Sequence, residues 1–140
     1  MTQTASGNVA VMMELYEAFG RGDVPRVLGA MDDKIEWREA EGNPWDTGEP
    51  FVGPQQILEK VFARIVQEFE DFRVEPHRFL ADGDTVVMEG RYKAAKHEAS
   101  GKPLDAAVVH VWDLRDGKVV RFQQYTDTRQ IADVLGVSPY

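Results

Sequence analysis

The stretch from Pro103 to Asp127, PLDAAVVHVWDLRDGKVVRFQQYTD, reads as two long strands folded back on each other about Arg115-Asp116-Gly117. Asp-Gly is a strong hairpin signal, because glycine takes a positive φ without steric cost. Side chains alternate across a strand, so Ala106, Val108, His110, Trp112 and Leu114 share one side, and Ala107, Val109, Val111 and Asp113 the other. In the second strand Val120, Phe122, Gln124 and Thr126 alternate with Val119, Arg121, Gln123, Tyr125 and Asp127. With Trp112 and Phe122 turned to the core, His110 and Gln124 lie on the same buried face, at one end of the hairpin. A polar pair inside an apolar wall is the chief functional sign in the chain.

The 140 residues fit one domain spanning 1–140, long enough to bury roughly two-thirds of the surface of the unfolded chain. The chain is 43% hydrophobic, and no run approaches the ~20 apolar residues of a membrane helix, so no membrane role is expected. The start, MTQTASGNV, has neither a basic n-region nor an apolar core, which implies no secretory signal and a cytoplasmic setting. The absence of cysteine excludes disulfides, thiolate catalysis and thiolate zinc sites. A net charge of −8 disfavours a nucleic-acid partner.

Residues 1–7 read as a frayed leader. From Asn8 to Phe19 the apolar positions Val9, Met12, Met13, Tyr16 and Phe19 recur at helical spacing. Asp23 suits the cap of a short second helix with Pro25 in its first turn and Val24, Val27, Leu28 and Met31 as its buried stripe. Asp32-Asp33 reads as a turn, and Lys34–Glu39 as a first strand. The segment 40–53 carries the turn residues of a loop but also Trp45 and Phe51, which either plug the core or line a cavity mouth. Pro54 opens a long helix with Ile57, Leu58, Val61, Phe62, Ile65 and Phe69 on one face, closed by Glu70-Asp71. Strands follow at Phe72–Ala81, marked as an edge by Pro76, and at Thr85–Ala95, joined through Asp82-Gly83-Asp84. Lys96–Lys102 turns into the hairpin. Thr128 suits the cap of a closing helix with Ile131, Val134 and Leu135, ended by Gly136. Helices first, then a strand, a long helix and four consecutive antiparallel strands make an α+β arrangement in which helices cover one face of a strongly curved sheet, leaving a cone.

This order resembles the cone-shaped α+β barrels of the nuclear transport factor 2-like (cystatin-like) superfamily, with a mixed, mainly antiparallel sheet wrapped on N-terminal helices. Within it, LYEAFGRGDV at 15–24, Glu36-Trp37, FVGPQQI at 51–57, HVWDLRDGKVV at 110–120 and QYTD at 124–127 resemble the SnoaL-like group related to polyketide cyclases. Those cyclases pair a strand histidine with an aspartate on the neighbouring strand. The resemblance places the histidine on His110 and the aspartate on Gln124, which has no titratable proton; Asp127 matches a second acidic position. The ketosteroid isomerases of the superfamily use a first-strand carboxylate with a tyrosine and a protonated aspartic acid. Those positions fall on Arg38, Leu15 and Val109, with Glu39 and Tyr16 one residue away, a step that on a strand changes the face.

Two function classes follow. One is an apolar pocket binding a small hydrophobic or polyketide-like molecule. The other is a cofactor-free acid/base enzyme, of isomerase, cyclase or hydrolase type, using His110 with Glu39 or Asp127. His110 is either a general acid or base or a neutral core histidine bonded to Gln124. Glu39, in phase with Trp37, is either a pocket carboxylate raised in pKa by burial or a solvated loop-start residue. Tyr16, Trp37, Trp45, Met88, Tyr92, Trp112, Phe122 and Gln124 are the expected pocket wall. No His/Asp/Glu spacing suggests a metal site, and no cofactor is implied. Val109, Val111, Val119 and Tyr125 are expected on the outer sheet face, where an uncovered apolar surface implies a homodimer, the pairing the resemblance also implies.

Overall fold

The computed structural model describes residues 4–137. Helix α1 (Ala5–Gly20) begins four residues before its periodic stripe, because Thr4 caps it: the hydroxyl accepts the N–H of Gly7 at 3.0 Å. Residues 5–7, expected as part of a frayed leader, are therefore helical, while residues 1–3 lie outside the described range. Asp23 caps α2 (Val24–Gly29) through the N–H of Arg26. Strand β1 (Met31–Arg38) then starts three residues earlier than expected. Asp32 and Asp33 do not form a turn; they sit in β1 where its register against the last strand is irregular, between Met31 and Glu36.

Strand β2 (Phe51–Val52) pairs with β1, and Pro54 opens the long helix: α3 (Pro54–Ile57), a π-helical stretch (Leu58–Phe62) and α4 (Ala63–Glu68) run on without a break. The helix ends at Glu68 rather than Asp71. Phe69-Glu70 instead forms β3 (Phe69–Glu70), which pairs with β6 (Lys96–His97), so the expected Lys96 turn begins as a strand. Between them run β4 (Arg73–Asp82) and β5 (Thr85–Ala94). The long hairpin is β7 (Leu104–Arg115) and β8 (Lys118–Thr126), turned by Asp116 and Gly117, both at positive φ, 50° and 78°. Helix α5 (Thr128–Leu135) closes the chain, capped by Asp127 rather than Thr128 and ended by Gly136 at φ 73°.

Six strands form one curved sheet in the order β2-β1-β8-β7-β5-β4, antiparallel except for the parallel β1–β8 pair. This is the expected α+β class, with β4, the strand carrying Pro76, at an edge. β4 bends at a register irregularity between Pro76 and Arg78. There it passes so close to β5 that a Cβ on Gly90 would lie 2.1 Å from the Glu75 carbonyl oxygen. α1 packs on β4 and β5, α3 on β1 and α5 on β7, so one sheet face is covered.

Alternation along the hairpin is interrupted once. A register shift between Asp113 and Leu114 leaves Val120 as the extra residue of β8 and turns Val119, expected outside, fully into the core. A bulge of this kind exchanges the faces of every residue beyond it. The outer face consequently carries Val109, Val111 and the exposed Tyr125 without Val119.

Candidate functional site

Strand pairing brings the interior residues together in two rows. Trp37 opposes Phe122, which opposes Trp112; His110 lies between Gln124 and Met88. The Trp37 and Phe122 rings stack at 3.8 Å between centroids. Trp112 lies across Phe122 at 4.5 Å. Phe122 and Met88 are wholly buried within this packing and do not line the cavity beside it, so these two expected wall residues are core.

The cavity measures about 100 Å³ and is lined by side chains of α1, the long helix, the inner sheet face and α5. Tyr16, Trp37, Glu39, Asn43, Trp45, Tyr92, His110, Trp112 and Gln124 all reach its wall, and the rest is aliphatic or phenyl. Asn43 was not foreseen, since nothing in a loop Asn marks it as pocket-facing. Phe19, Phe62, Ile65, Phe69 and Phe72 also line an adjoining groove of about 390 Å³. Asp127 lies elsewhere: it is exposed, and its carboxylate accepts the N–H of Gln130 as the α5 cap. An acid engaged there cannot serve His110.

His110 is bracketed by two phenols. Tyr16 Oη lies 2.6 Å from Nδ1 and Tyr92 Oη 2.6 Å from Nε2. Trp112 Nε1 donates to Tyr16 Oη at 2.8 Å, and Gln124 Nε2 donates to Tyr92 Oη at 2.9 Å. The expected direct bond between His110 and Gln124 is thus replaced by one through Tyr92. Gln124 Oε1 accepts from the Ala40 N–H at 3.2 Å and from Asn43 Nδ2 at 2.8 Å, which ties the loop after β1 to the sheet. Burial lowers the His110 pKa to about 3, so the imidazole is neutral at physiological pH. Burial likewise raises both phenols well above their ordinary value.

Glu39 follows the last residue of β1, inward with Ile35 and Trp37, and is only 7% exposed. Burial lifts its carboxyl from 4.5 to about 7; the Trp37 indole opposes the rise without reaching hydrogen-bond geometry, Asp46 adds to it and Arg64 opposes it. The Arg64 guanidinium sits over the Trp45 ring at 4.4 Å. Among the described residues, the buried side-chain atoms without a hydrogen-bond partner are Asn8 Oδ1, Trp37 Nε1, Trp45 Nε1 and Glu39 Oε2, and the last three belong to residues of the cavity wall. Buried polar atoms are normally paired, so the concentration of unpaired ones on this wall sets it apart from the rest of the core. No group of His, Asp or Glu among the described residues could hold a metal, and no helix is long and apolar enough to cross a membrane.

A curved six-stranded sheet covered on one face by helices is the architecture of the nuclear transport factor 2-like class. Residues 13–122 match the SnoaL-like domain, and the chain belongs to that family. Membership points to ligand binding or polyketide-cyclase-like chemistry as the class of function. An NTF2-like protein from Burkholderia thailandensis E264 is 28% identical, with a TM-score of 0.86 over 95% of this chain and 98% of that one. An NTF2-like protein of unknown function from Burkholderia pseudomallei K96243 is 26% identical, with a TM-score of 0.81 over 91% and 95%. TerC, crystallised with polyporic acid, is 25% identical, with a TM-score of 0.80 over 92% and 98%. No curated protein matches the chain.

Proposed function

We propose that the protein is a cofactor-free acid/base enzyme that binds a small apolar carbonyl compound and moves a proton next to its carbonyl group. The observation that carries this reading is Glu39: a buried carboxylate on the cavity wall, with an unpartnered oxygen, titrating about pH 7. A general base works best with a pKa near the operating pH. Tyr16 and Tyr92 supply hydroxyls for the carbonyl oxygen, in an apolar setting that strengthens each hydrogen bond. His110, neutral and held at both nitrogens, is no general acid in this reading. That TerC was co-crystallised with polyporic acid supports a small organic ligand for this protein. A homodimer through Val109, Val111 and Tyr125, in the cytoplasm, completes the proposal.

A second reading, a pocket that binds without turnover, draws on Gln124 standing where the cyclase resemblance puts an acid. It also draws on the size of the cavity, which at about 100 Å³ is smaller than the roughly 150 Å³ engineered cavity that takes up benzene. Hydrogen–deuterium exchange separates the two. With enolisable cyclic and polyketide-like ketones, exchange should rise with pH to a plateau above about 7. Glu39→Gln should lower it by roughly 10²-fold or more. Binding without exchange from pH 5 to 9 would leave only the pocket reading.

A further inference from the structure

The polar end of the cavity can be counted proton by proton. The Trp112 indole only donates. The Gln124 amide has a fixed orientation, because its oxygen faces the Ala40 N–H, which also only donates; its Nε2 therefore gives a proton to Tyr92. Each phenol oxygen thus accepts one bond from an obligate donor. Between them a neutral imidazole offers one N–H and one lone pair. The two bonds from His110 to the phenols require two protons, and three are present: two phenolic and one on the ring. If Tyr16 donates to Nδ1, then Nε2–H donates to Tyr92, and the Tyr92 proton is left over. In the other tautomer the Tyr16 proton is left over. Neither hydroxyl has a further acceptor among the described residues.

We propose that His110 is a positioning residue whose tautomer leaves one phenolic O–H of the Tyr16–Tyr92 pair free to donate, so that the site takes one acceptor oxygen, of a ketone or an enolate, per ligand. This rests on the carbonyl reading above and narrows it to a single oxygen contact at this end. A cationic ring would donate from both nitrogens and free both phenolic protons, changing the count from one to two. Full burial of the ring holds it in the neutral form. A ligand hydroxyl gains less here than a carbonyl, because both phenol oxygens already accept two bonds or one bond and a ring contact, leaving little for a donor.

The probes are cyclopentanone and methylenecyclopentane, which differ in an oxygen against a CH₂ of similar shape. Binding is read from the fluorescence of Trp37, Trp45 and Trp112, which line the cavity. The preference for the ketone should fall about fivefold, the weight of one hydrogen bond, when both phenols are removed in Tyr16→Phe/Tyr92→Phe. It should survive in His110→Phe, where each phenol keeps a free proton. An unchanged preference in a folded double variant, or its loss in folded His110→Phe, would overturn the proposal. A measurement on the unaltered protein covers the case in which a variant does not fold. The ¹⁵N shifts of His110 should show one protonated and one bare nitrogen from pH 5 to 8, with Nε2–H naming Tyr92 as donor and Nδ1–H naming Tyr16. Two protonated nitrogens in that range would also overturn it. None of these readouts needs turnover, so an intact ketone preference without any exchange chemistry would sink the enzyme reading alone.

Discussion

Burying Glu39 should leave a signature in stability that can be calculated. Its carboxyl titrates at 4.5 in an exposed setting and about 7 in the fold. The folded protein therefore binds a proton that the unfolded chain has released throughout that window, and stability falls as pH rises through it. At about 1.36 kcal/mol for each pH unit, the loss between pH 4.5 and 7 is about 3 kcal/mol, a large part of the ~5–15 kcal/mol typical of a folded domain. Glu39→Gln keeps the shape and removes the titration. Its stability minus that of the parent, from urea unfolding at fixed pH, should grow by about 3 kcal/mol between pH 4 and pH 8. Any constant offset from the new amide cancels in the difference. A flat difference curve would mean that Glu39 is solvated or paired, and the proposed base would be lost with it.

Other perturbations follow from the same geometry. His110 gives the opposite limb: its folded pKa of about 3 lies below the ordinary 6.5, so its stability contribution is complete above 6.5 and is lost as pH falls toward 3. His110→Phe should abolish that acid limb, about 1.4 kcal/mol per pH unit, and a variant curve that falls as steeply as the parent's would refute the burial of a neutral ring. Gly90→Ala puts a methyl 2.1 Å from the Glu75 carbonyl oxygen and 2.9 Å from Met88 Sδ; a loss of about 3 kcal/mol or more is expected in urea unfolding, and a loss below 1 kcal/mol would show that β4 simply moves aside. For the proposed homodimer, sedimentation should give a dimer at micromolar concentration, which Tyr125→Glu, at a side chain now 56% exposed, converts to monomer; a parent monomer ends that proposal.

The fold was legible where periodicity ran uninterrupted. Strand parity put Trp37, Trp112, Phe122, His110 and Gln124 on one face, and Asp-Gly and Pro76 marked the hairpin turn and the edge strand. It failed where a single inserted residue changes parity, as at Val119, because a bulge has no composition of its own. Glu39 and Tyr16 show a different limit. A one-residue offset from the isomerase positions argued against both, yet each reaches the cavity. Tyr16 is on a helix, where one residue turns a side chain by about 100° and not to the opposite face, and Glu39 lies past the end of β1. The two phenols on His110 join α1 to β5 and β7, an encounter across 94 and 18 residues that no local pattern encodes.

Gln124, silent as an acid, has a mechanical part that explains how Glu39 stays dry. Its amide spans the polar end of the cavity: Nε2 holds Tyr92, and Oε1 holds the backbone of Ala40, the residue after Glu39, together with Asn43. Asn43 in turn accepts the Trp45 N–H at 2.9 Å, so one side chain anchors the loop that carries Glu39 and Trp45 over the cavity. Gln124→Leu preserves bulk and deletes both ends of this clamp, leaving the Ala40 N–H and the Asn43 amide short of an acceptor, each at a cost of about 1–3 kcal/mol unless it reaches water. Moving the loop outward meets that need and admits water to Glu39 as well. The Glu39 pKa should then drop from about 7 toward 4.5, and the stability difference between Gln124→Leu and Gln124→Leu/Glu39→Gln should lose most of its rise between pH 4 and 8. If the rise persists at its full size in the Gln124→Leu background, the dryness of Glu39 comes from the aromatic wall alone and Gln124 only fills space.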